Sequence, residues 1–130
     1  MAILMAYDGM SHTEKALEYA IKHAVAYDKP LYFVSSVPSK ESVRDEKEVK
    51  TVEKYLEKAK EKAASANVEA ITCMEVGGPA ECIVATAERL EVDTIIVGRH
   101  KGMSKLDRLV LGSVSEFVIR NARCTVIVVQ

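Results

Sequence analysis

Five short runs of apolar residues punctuate the chain, and between them apolar residues recur at the spacing of one helix face. The runs cover residues 2–7, 31–37, 68–76, 93–97 and 125–129, and the third is polar at alternate positions near its start. Short continuous runs are typical of buried strands, and their regular alternation with helices is typical of parallel sheets. The pattern therefore predicts an α/β fold with three layers, in which a doubly wound, five-stranded parallel sheet lies between two layers of helices.

Polar residues mark the starts and ends of the first two helices. Ser11 followed by Glu14 predicts a capping box at the start of the first helix, which we expect to end near Tyr27. Residues 38–48 are almost wholly polar, so we expect a long loop there. From Val49 onward apolar residues recur at intervals of three and four, which predicts an amphipathic helix lying on the sheet.

Glycines precede the last two helices. Gly77, Gly78 and Pro79 predict a turn into a helix that has proline near its first position. The final helix is predicted over about residues 114–121, and the segment from Ser113 to Glu116 offers it a second capping box.

Charge and composition exclude several classes of protein. The chain has 130 residues with 18 Lys and Arg against 19 Asp and Glu, for a formal net charge of −1. We therefore expect one domain over residues 1–130 that binds neither nucleic acid nor a membrane surface. No apolar run approaches the roughly 20 residues of a spanning helix, and no export signal is recognisable, so we expect a cytoplasmic protein.

The three cysteines, Cys73, Cys82 and Cys124, lack the spacing of a metal site. In a reducing compartment we expect free thiols that serve as small buried side chains. A redox role for Cys124, near the start of the last strand, is the alternative.

A segment rich in glycine and serine follows the fourth apolar run. It contains Gly98, Gly102, Gly112, Ser113 and Ser115, and it leads directly into the last helix. Glycine lets backbone amides approach a ligand closely, and the start of a helix favours an anion. The segment therefore predicts a phosphate cradle and a nucleotide-binding domain, although loop glycines with an ordinary helix cap remain the alternative. His100 lies inside the segment and is a further candidate phosphate donor.

The end of the first strand supplies a second candidate group. Ligands of doubly wound sheets bind where the strand order reverses, and there Tyr7, Asp8 and Val37 would meet the glycine-rich segment. The Asp8 carboxylate suits the two neighbouring hydroxyls of a ribose, but it could instead only close the turn before the first helix. His12 is expected to be an exposed residue of that helix's first turn.

Several signatures of nucleotide chemistry are missing. The sequence contains neither GxxxxGK[ST] nor a GxGxxG turn after the first strand, which argues against the usual P-loop and dinucleotide sites. No Ser/His/Asp or Cys/His set can be assembled from the sequence. If the chain is an enzyme, we therefore expect at most very slow ATP hydrolysis.

With these residues in view, the chain resembles the universal stress protein family over essentially its full length. The resemblance is carried by residues 3–9, 11–24, 112–116 and 124–129. Members of the family that bind ATP carry Gly-x2-Gly-x9-Gly-[Ser/Thr]. Gly102 and Gly112-Ser113 match the second half of that motif, whereas three residues instead of two separate Gly98 from Gly102.

The resemblance implies a Rossmann-like sheet of order 3-2-1-4-5 and an adenine nucleotide as ligand. ATP is the expected nucleotide, with AMP or ADP as alternatives and Mg²⁺ as an accompanying ion. The residues implied for the adenine and ribose side are Ala6, Tyr7, Asp8 and Val37, and those for the phosphates are Gly98, Gly102, Gly112, Ser113, Val114 and Ser115. The inserted residue either bulges without effect, or Lys101 takes the position of the second glycine and supplies charge.

The implied role is that of a regulatory or signalling protein of the stress response. The alternative is a member of the family that binds no nucleotide and acts through contacts with other proteins.

The last strand predicts self-association. Thr125, Val126, Ile127, Val128 and Val129 include no charge, proline or glycine, and the implied strand order places them at an edge of the sheet. Exposed apolar edges are normally charged, covered or paired, so we expect a homodimer through this strand. The alternative is a monomer in which the polar segment 38–48 covers the edge.

Overall fold

Five parallel strands form one sheet in the computed structural model, which describes residues 1–99 and 112–130 except the side chains of residues 42 and 43. The elements are β1 (Ile3–Ala6), α1 (Ser11–Tyr27), β2 (Leu31–Val37), α2 (Lys40–Arg44), α3 (Glu46–Ser65), β3 (Ala70–Val76), α4 (Pro79–Arg89), β4 (Thr94–Gly98), α5 (Ser113–Asn121) and β5 (Thr125–Val129). The strand order is β3-β2-β1-β4-β5, and every pairing is parallel. This confirms the predicted α/β fold and the implied order.

Alternate strand residues feed two separate apolar layers. On one face Ile3, Met5 and Phe33 pack with α1 and α3, while on the other face Leu4 and Ile95 pack with α4 and α5. All five side chains are fully buried, which explains why these strands are apolar at consecutive positions. Among the described helices, none is both long and apolar enough to cross a membrane.

The predicted capping box at the start of α1 is wrong. The N-cap is Met10, and its backbone N–H donates to Oδ1 of Asp8 at 2.8 Å. Glu14 does not reach back to the helix start, because the Tyr7 hydroxyl and the Lys62 ammonium hold its carboxylate instead. The side chain of Asp8, which follows β1, therefore closes the turn before α1.

The long loop predicted over residues 38–48 is also wrong, since α2 and the first turn of α3 lie there. Asp45 caps α3 by accepting hydrogen bonds from the amides of Lys47 and Glu48 at 3.0 and 3.4 Å. The apolar periodicity begins only where α3 reaches the sheet, so its exposed first turn carried no pattern. Because α2 packs against α3 and β2, with β1 and β4 lying between β2 and β5, it does not cover the β5 edge.

The capping box predicted at Ser113 is wrong as well. Gly112 is the N-cap of α5, and Ser113 is its first helical residue. At α4 the prediction is confirmed, since Gly78 is the N-cap and Pro79 begins the helix.

Candidate functional site

A cavity of about 610 Å³ opens at the carboxyl ends of the strands. From β1 the chain continues to β2 and β3 on one side, then crosses to β4 and β5 on the other. The order of the strands therefore reverses between β1 and β4, which is where doubly wound sheets bind their ligands. The volume lies in the range of roughly 300–1,000 Å³ that is common for small-molecule sites.

Most of the residues that the sequence placed at the site line this cavity. They are Ala6, Tyr7 and Asp8 after β1, Gly98 at the end of β4, and Gly112, Ser113, Val114 and Ser115 at the start of α5. Lys101, Gly102 and His100 lie outside the described residues, so what we inferred for them remains a prediction.

Val37 lies away from the cavity. Its side chain is 1% exposed and packs in the layer beneath α1 and α3. Of the described residues at the end of β2, Ser35, Ser36 and Pro38 line the cavity instead. The carbonyl of Val37 accepts a hydrogen bond from the amide of Gly77 at 2.8 Å. This placement does not favour the expected contact with adenine, because the side chain is buried in the core and the carbonyl is bonded to the turn after β3.

Asp8 closes the turn before α1 and also faces the cavity. Its Oδ1 accepts from the Met10 amide at 2.8 Å and lies 2.9 Å from the Thr13 hydroxyl. Its Oδ2 lies 3.3 Å from Nε2 of His12, and the Asp8 side chain is 48% exposed. The turn-closing interpretation is therefore confirmed for one oxygen, while the other remains open to a ligand.

His12 departs from its expected exposed position. It lines the cavity, and its side chain is 23% exposed. No local pattern indicates this placement, because the position of the first turn depends on how α1 packs against β4.

Two tyrosines stiffen the same side of the cavity. The Tyr7 hydroxyl donates to Glu14, and Tyr55 of α3 shares a hydrogen bond with Ser35. The rings of Tyr7 and Tyr55 meet edge-on with centroids 5.7 Å apart. Burial, followed by the bond to Glu14, raises the pKa of Tyr7, and burial also raises the pKa of Tyr55. Both hydroxyls therefore stay protonated and engaged within the protein.

Gly9 lets Tyr55 lie against the turn. A Cβ on Gly9 would come within 2.7 Å of the Tyr55 ring, and its φ of +75° is one that side chains rarely adopt. Tyr55 was not predicted to be a site residue. Its only signal is its place beside the buried Val52 and Leu56 of α3. We call the surface made by Tyr7, Asp8, His12, Thr13 and Tyr55 the α1 wall.

The α5 wall, made by Gly112, Ser113 and Ser115, is different. The first hydrogen bond of α5 runs from the Glu116 amide to the Gly112 carbonyl at 3.0 Å. The three amides before it therefore have no partner within the helix. Ser115 is 5% exposed, and its hydroxyl has no hydrogen-bond partner among the described residues. Together these groups present donors to the cavity at the positive end of the helix dipole.

Acidic side chains lie at the starts of α3 and α4. At α4 the Glu81 carboxylate lies where a Cβ on Gly78 would be. At α3 the start is capped by Asp45. An anion is therefore accommodated better at α5 than at either of these helices.

Gly98 and Gly112 look alike in the sequence but differ in the structure. A Cβ on Gly98 would lie 3.3 Å from both the Ala16 Cβ and the His12 carbonyl oxygen, so the glycine allows α1 to pack closely on β4. Gly112 has an ordinary φ of −61°, and no described atom lies within 4 Å of where its Cβ would be. Packing explains the first glycine but not the second.

Neither the cysteines nor a metal cluster adds reactive groups to the described part of the site. Burial is the main cause that raises the pKa of Cys73, Cys82 and Cys124, so the thiols are poor nucleophiles at neutral pH. This favours the structural interpretation over a redox role for Cys124. In the described ranges no group of three or more His, Cys, Asp or Glu side chains could hold a metal ion.

Comparison with known proteins identifies the family. Residues 1–130 match the Universal stress protein family. A universal stress protein of Methanocaldococcus jannaschii is 34% identical, with 98% of this chain and 81% of that protein covered. Universal stress protein YxiE of Bacillus subtilis is 33% identical, with 98% and 97% covered. This chain belongs to the universal stress protein family.

Solved structures agree with the fold. A universal stress protein from Archaeoglobus fulgidus matches with a TM-score of 0.85 and 25% identity, over 100% of this chain and 93% of that one. A universal stress protein from Archaeoglobus fulgidus in complex with dAMP matches with a TM-score of 0.82 and 24% identity, over 100% of this chain and 98% of that one. A family protein from Arabidopsis thaliana with AMP bound matches with a TM-score of 0.73 and 20% identity, over 99% of this chain and 91% of that one. These likenesses establish the Rossmann-like fold of this family member.

Proposed function

We propose that this universal stress protein binds an adenine nucleotide in the cavity between β1 and β4 and acts as a regulatory or signalling dimer of the stress response. ATP is the proposed nucleotide, with AMP and ADP as alternatives. The observation that carries the proposal is the α5 wall, where no described atom lies within 4 Å of a Cβ on Gly112 and three amides lack helical partners. The complexes of related proteins with dAMP and AMP support the same class of ligand.

The phosphates belong at the α5 wall. A phosphate oxygen there could accept from the amides of residues 113–115 and from the Ser115 hydroxyl, a group that the described structure leaves without a partner. Hydrogen bonds to a charged acceptor are worth roughly 1.5–3 kcal/mol each. A short set of such bonds is enough to anchor a nucleotide.

The nucleoside belongs at the α1 wall. Tyr7 and Tyr55 give this side a rigid apolar surface, and the half-exposed Asp8 presents the oxygen beside His12 to sugar hydroxyls. Mg²⁺ would enter with a triphosphate and be held mainly by phosphate oxygens and water, as is usual for this cation. A nucleotide held in this way serves as a signal, and the proposal includes no more than very slow hydrolysis.

Isothermal titration of the purified protein with ATP, ADP, AMP and NAD tests the proposal directly. We expect at least one adenine mononucleotide to bind more tightly than NAD, and extraction of the purified protein to release that nucleotide. If no adenine nucleotide binds at millimolar concentration, the proposal is wrong, and the alternative of a protein-interaction role is favoured.

The dimer is proposed through β5. The described sheet ends at this strand, where Thr125 is exposed and Val126, Ile127, Val128 and Val129 are only partly buried. Pairing two such edges about a two-fold axis closes the assembly. Light scattering after size exclusion should show a dimer for the wild-type chain. Val128→Lys should give a monomer, because its stem can lie on the sheet while its charge blocks pairing.

Val76→Lys is the matched control for the dimer. Val76 lies at the end of the opposite edge strand, β3, and is 47% exposed. A lysine there should leave the dimer intact. Dimers that persist in Val128→Lys, or a wild-type monomer at high micromolar concentration, would rule out association through β5.

A further inference from the structure

The Asp8 carboxylate is held from more than one side, and this bears on which sugar the site selects. The Met10 amide and the Thr13 hydroxyl lie within 2.8 and 2.9 Å of its Oδ1. Thr13 is 5% exposed, so this part of the turn is fixed from within the protein. Oδ2 is therefore the oxygen left to meet a ligand.

His12 lies beside that remaining oxygen. Its Nε2 is 3.3 Å from Oδ2, within reach of a hydrogen bond that an Nε2–H would donate to the carboxylate. The backbone of His12 is itself fixed, because its carbonyl lies against Gly98 at the end of β4. The imidazole Nε2 thus approaches Oδ2 from a turn that packing holds in place.

We propose that His12 is a positioning residue for Asp8, and that the pair makes this site select ribonucleotides over deoxyribonucleotides. With Oδ1 held by the turn and Oδ2 steered by His12, the carboxylate keeps one orientation. Its free acceptor position on Oδ2 then accepts a hydrogen bond from a ribose hydroxyl. Without His12 the half-exposed carboxylate can turn towards solvent, and its preference for the hydroxyl is lost.

This inference rests on the proposed nucleotide site and adds to it the selection of the sugar. A role of His12 in holding phosphate would affect ribo- and deoxyribonucleotides equally. A role through Asp8 would instead change the affinity for ribonucleotides relative to that for deoxyribonucleotides. The ratio of the two affinities therefore separates the two roles.

Titration calorimetry with ATP, 2′-deoxyATP and 3′-deoxyATP tests the pair. For the wild-type protein we expect at least one deoxy analogue to bind about tenfold more weakly than ATP, as the loss of one hydrogen bond to a charged group predicts. In His12→Ala the affinity for ATP should fall, while the affinity for that analogue stays nearly constant. The ratio of the affinity for ATP to the affinity for the analogue should then be below about two.

Two variants control the experiment. His12→Gln keeps an N–H near the position of Nε2, so it should restore most of the discrimination, and it covers the case in which His12→Ala folds poorly. His23→Ala removes a histidine of the same helix that stacks between Tyr19 and Tyr27 and does not line the cavity within the described residues. It should leave the ratio unchanged.

Each contrary result has a distinct meaning. The inference is wrong if the wild-type protein binds ATP and both analogues equally. It is also wrong if His12→Ala keeps the full ratio of affinities. Both results leave nucleotide binding in place. Equal losses for all three ligands in both His12 variants would also overturn it, in favour of a structural or phosphate role. Wild-type protein that binds none of them would overturn both the inference and the proposed function.

Discussion

Polar groups on the α1 wall bond mainly to one another, whereas on the α5 wall the first amides and the Ser115 hydroxyl have no partner among the described residues. Both walls line the same cavity and both lie at the start of a helix. They differ because Asp8 closes the turn before α1 with its side chain, while Gly112 has no side chain to offer α5.

This contrast predicts which substitutions lower the stability of the fold and which lower the affinity for a ligand. Groups of the α1 wall are part of the protein's own network, so their loss should lower the free energy of unfolding. Groups of the α5 wall bond to little else in the described structure, so their loss should lower affinity for a nucleotide and leave stability nearly unchanged.

Gly112→Val should have the largest effect. A branched side chain would fill the open space in front of the α5 amides and keep phosphate away. Losing two hydrogen bonds to a charged group corresponds to about 3 kcal/mol, or more than a hundredfold in affinity. Calorimetry with ATP and a thermal melt would check both expectations. Full affinity in this variant would mean that the α5 wall is only a helix start.

Ser115→Ala should weaken binding by about 1.5 kcal/mol, which is roughly tenfold, because one donor to the phosphate is lost. The melting temperature should stay within a degree or two, since no described partner is left unsatisfied. Ser113→Ala is a useful companion, because Ser113 is exposed and should contribute less. A large loss of stability in Ser115→Ala would contradict the contrast between the walls.

Gly98→Ala should lower the free energy of unfolding by about 1 kcal/mol, because the new methyl group would press on Ala16 and on the His12 carbonyl. Gly112→Ala is the matched control, and chemical denaturation should find its stability within about 0.5 kcal/mol of the wild type. Equal stability losses in the two variants would remove the distinction between a packing glycine and a ligand-facing one.

The smallest effect concerns Glu14, whose pKa is lowered by the hydrogen bond from Tyr7 and by Lys62, although burial opposes the shift. A lowered pKa stabilises the fold above the ordinary value of 4.5, and this contribution is lost as the pH falls through the folded-state value. Lowering the pH from 6 to about 3 should therefore reduce the free energy of unfolding of the wild type more than that of Glu14→Gln. Chemical denaturation at each pH measures this. The difference should be about 0.5 kcal/mol, because the carboxylate is partly exposed. Parallel pH curves for the two proteins would contradict it.

Local patterns in the sequence were sufficient for the α/β fold class. Each strand of a parallel sheet is buried on both faces, so residues such as Ile3, Leu4 and Met5 had to be apolar in succession, and that run was visible without a structure. The α5 wall was visible too, because Gly112 and Ser115 adjoin the last helix in the chain. The order of the strands followed from the family resemblance and not from the apolar pattern.

The features that could be predicted from the sequence were therefore local, namely the strands, the helices and the glycine-serine segment at α5. Three contacts follow from tertiary packing instead: Tyr55 reaches Ser35 from α3, His12 lies beside Asp8 at the cavity, and Val37 is buried beneath the helices. Packing also distinguishes Gly98, which lies against α1, from Gly112, where a Cβ would meet no described atom within 4 Å. The reason is that backbone periodicity records whether a residue is buried, whereas its partners depend on the order and register of strands far apart in the chain.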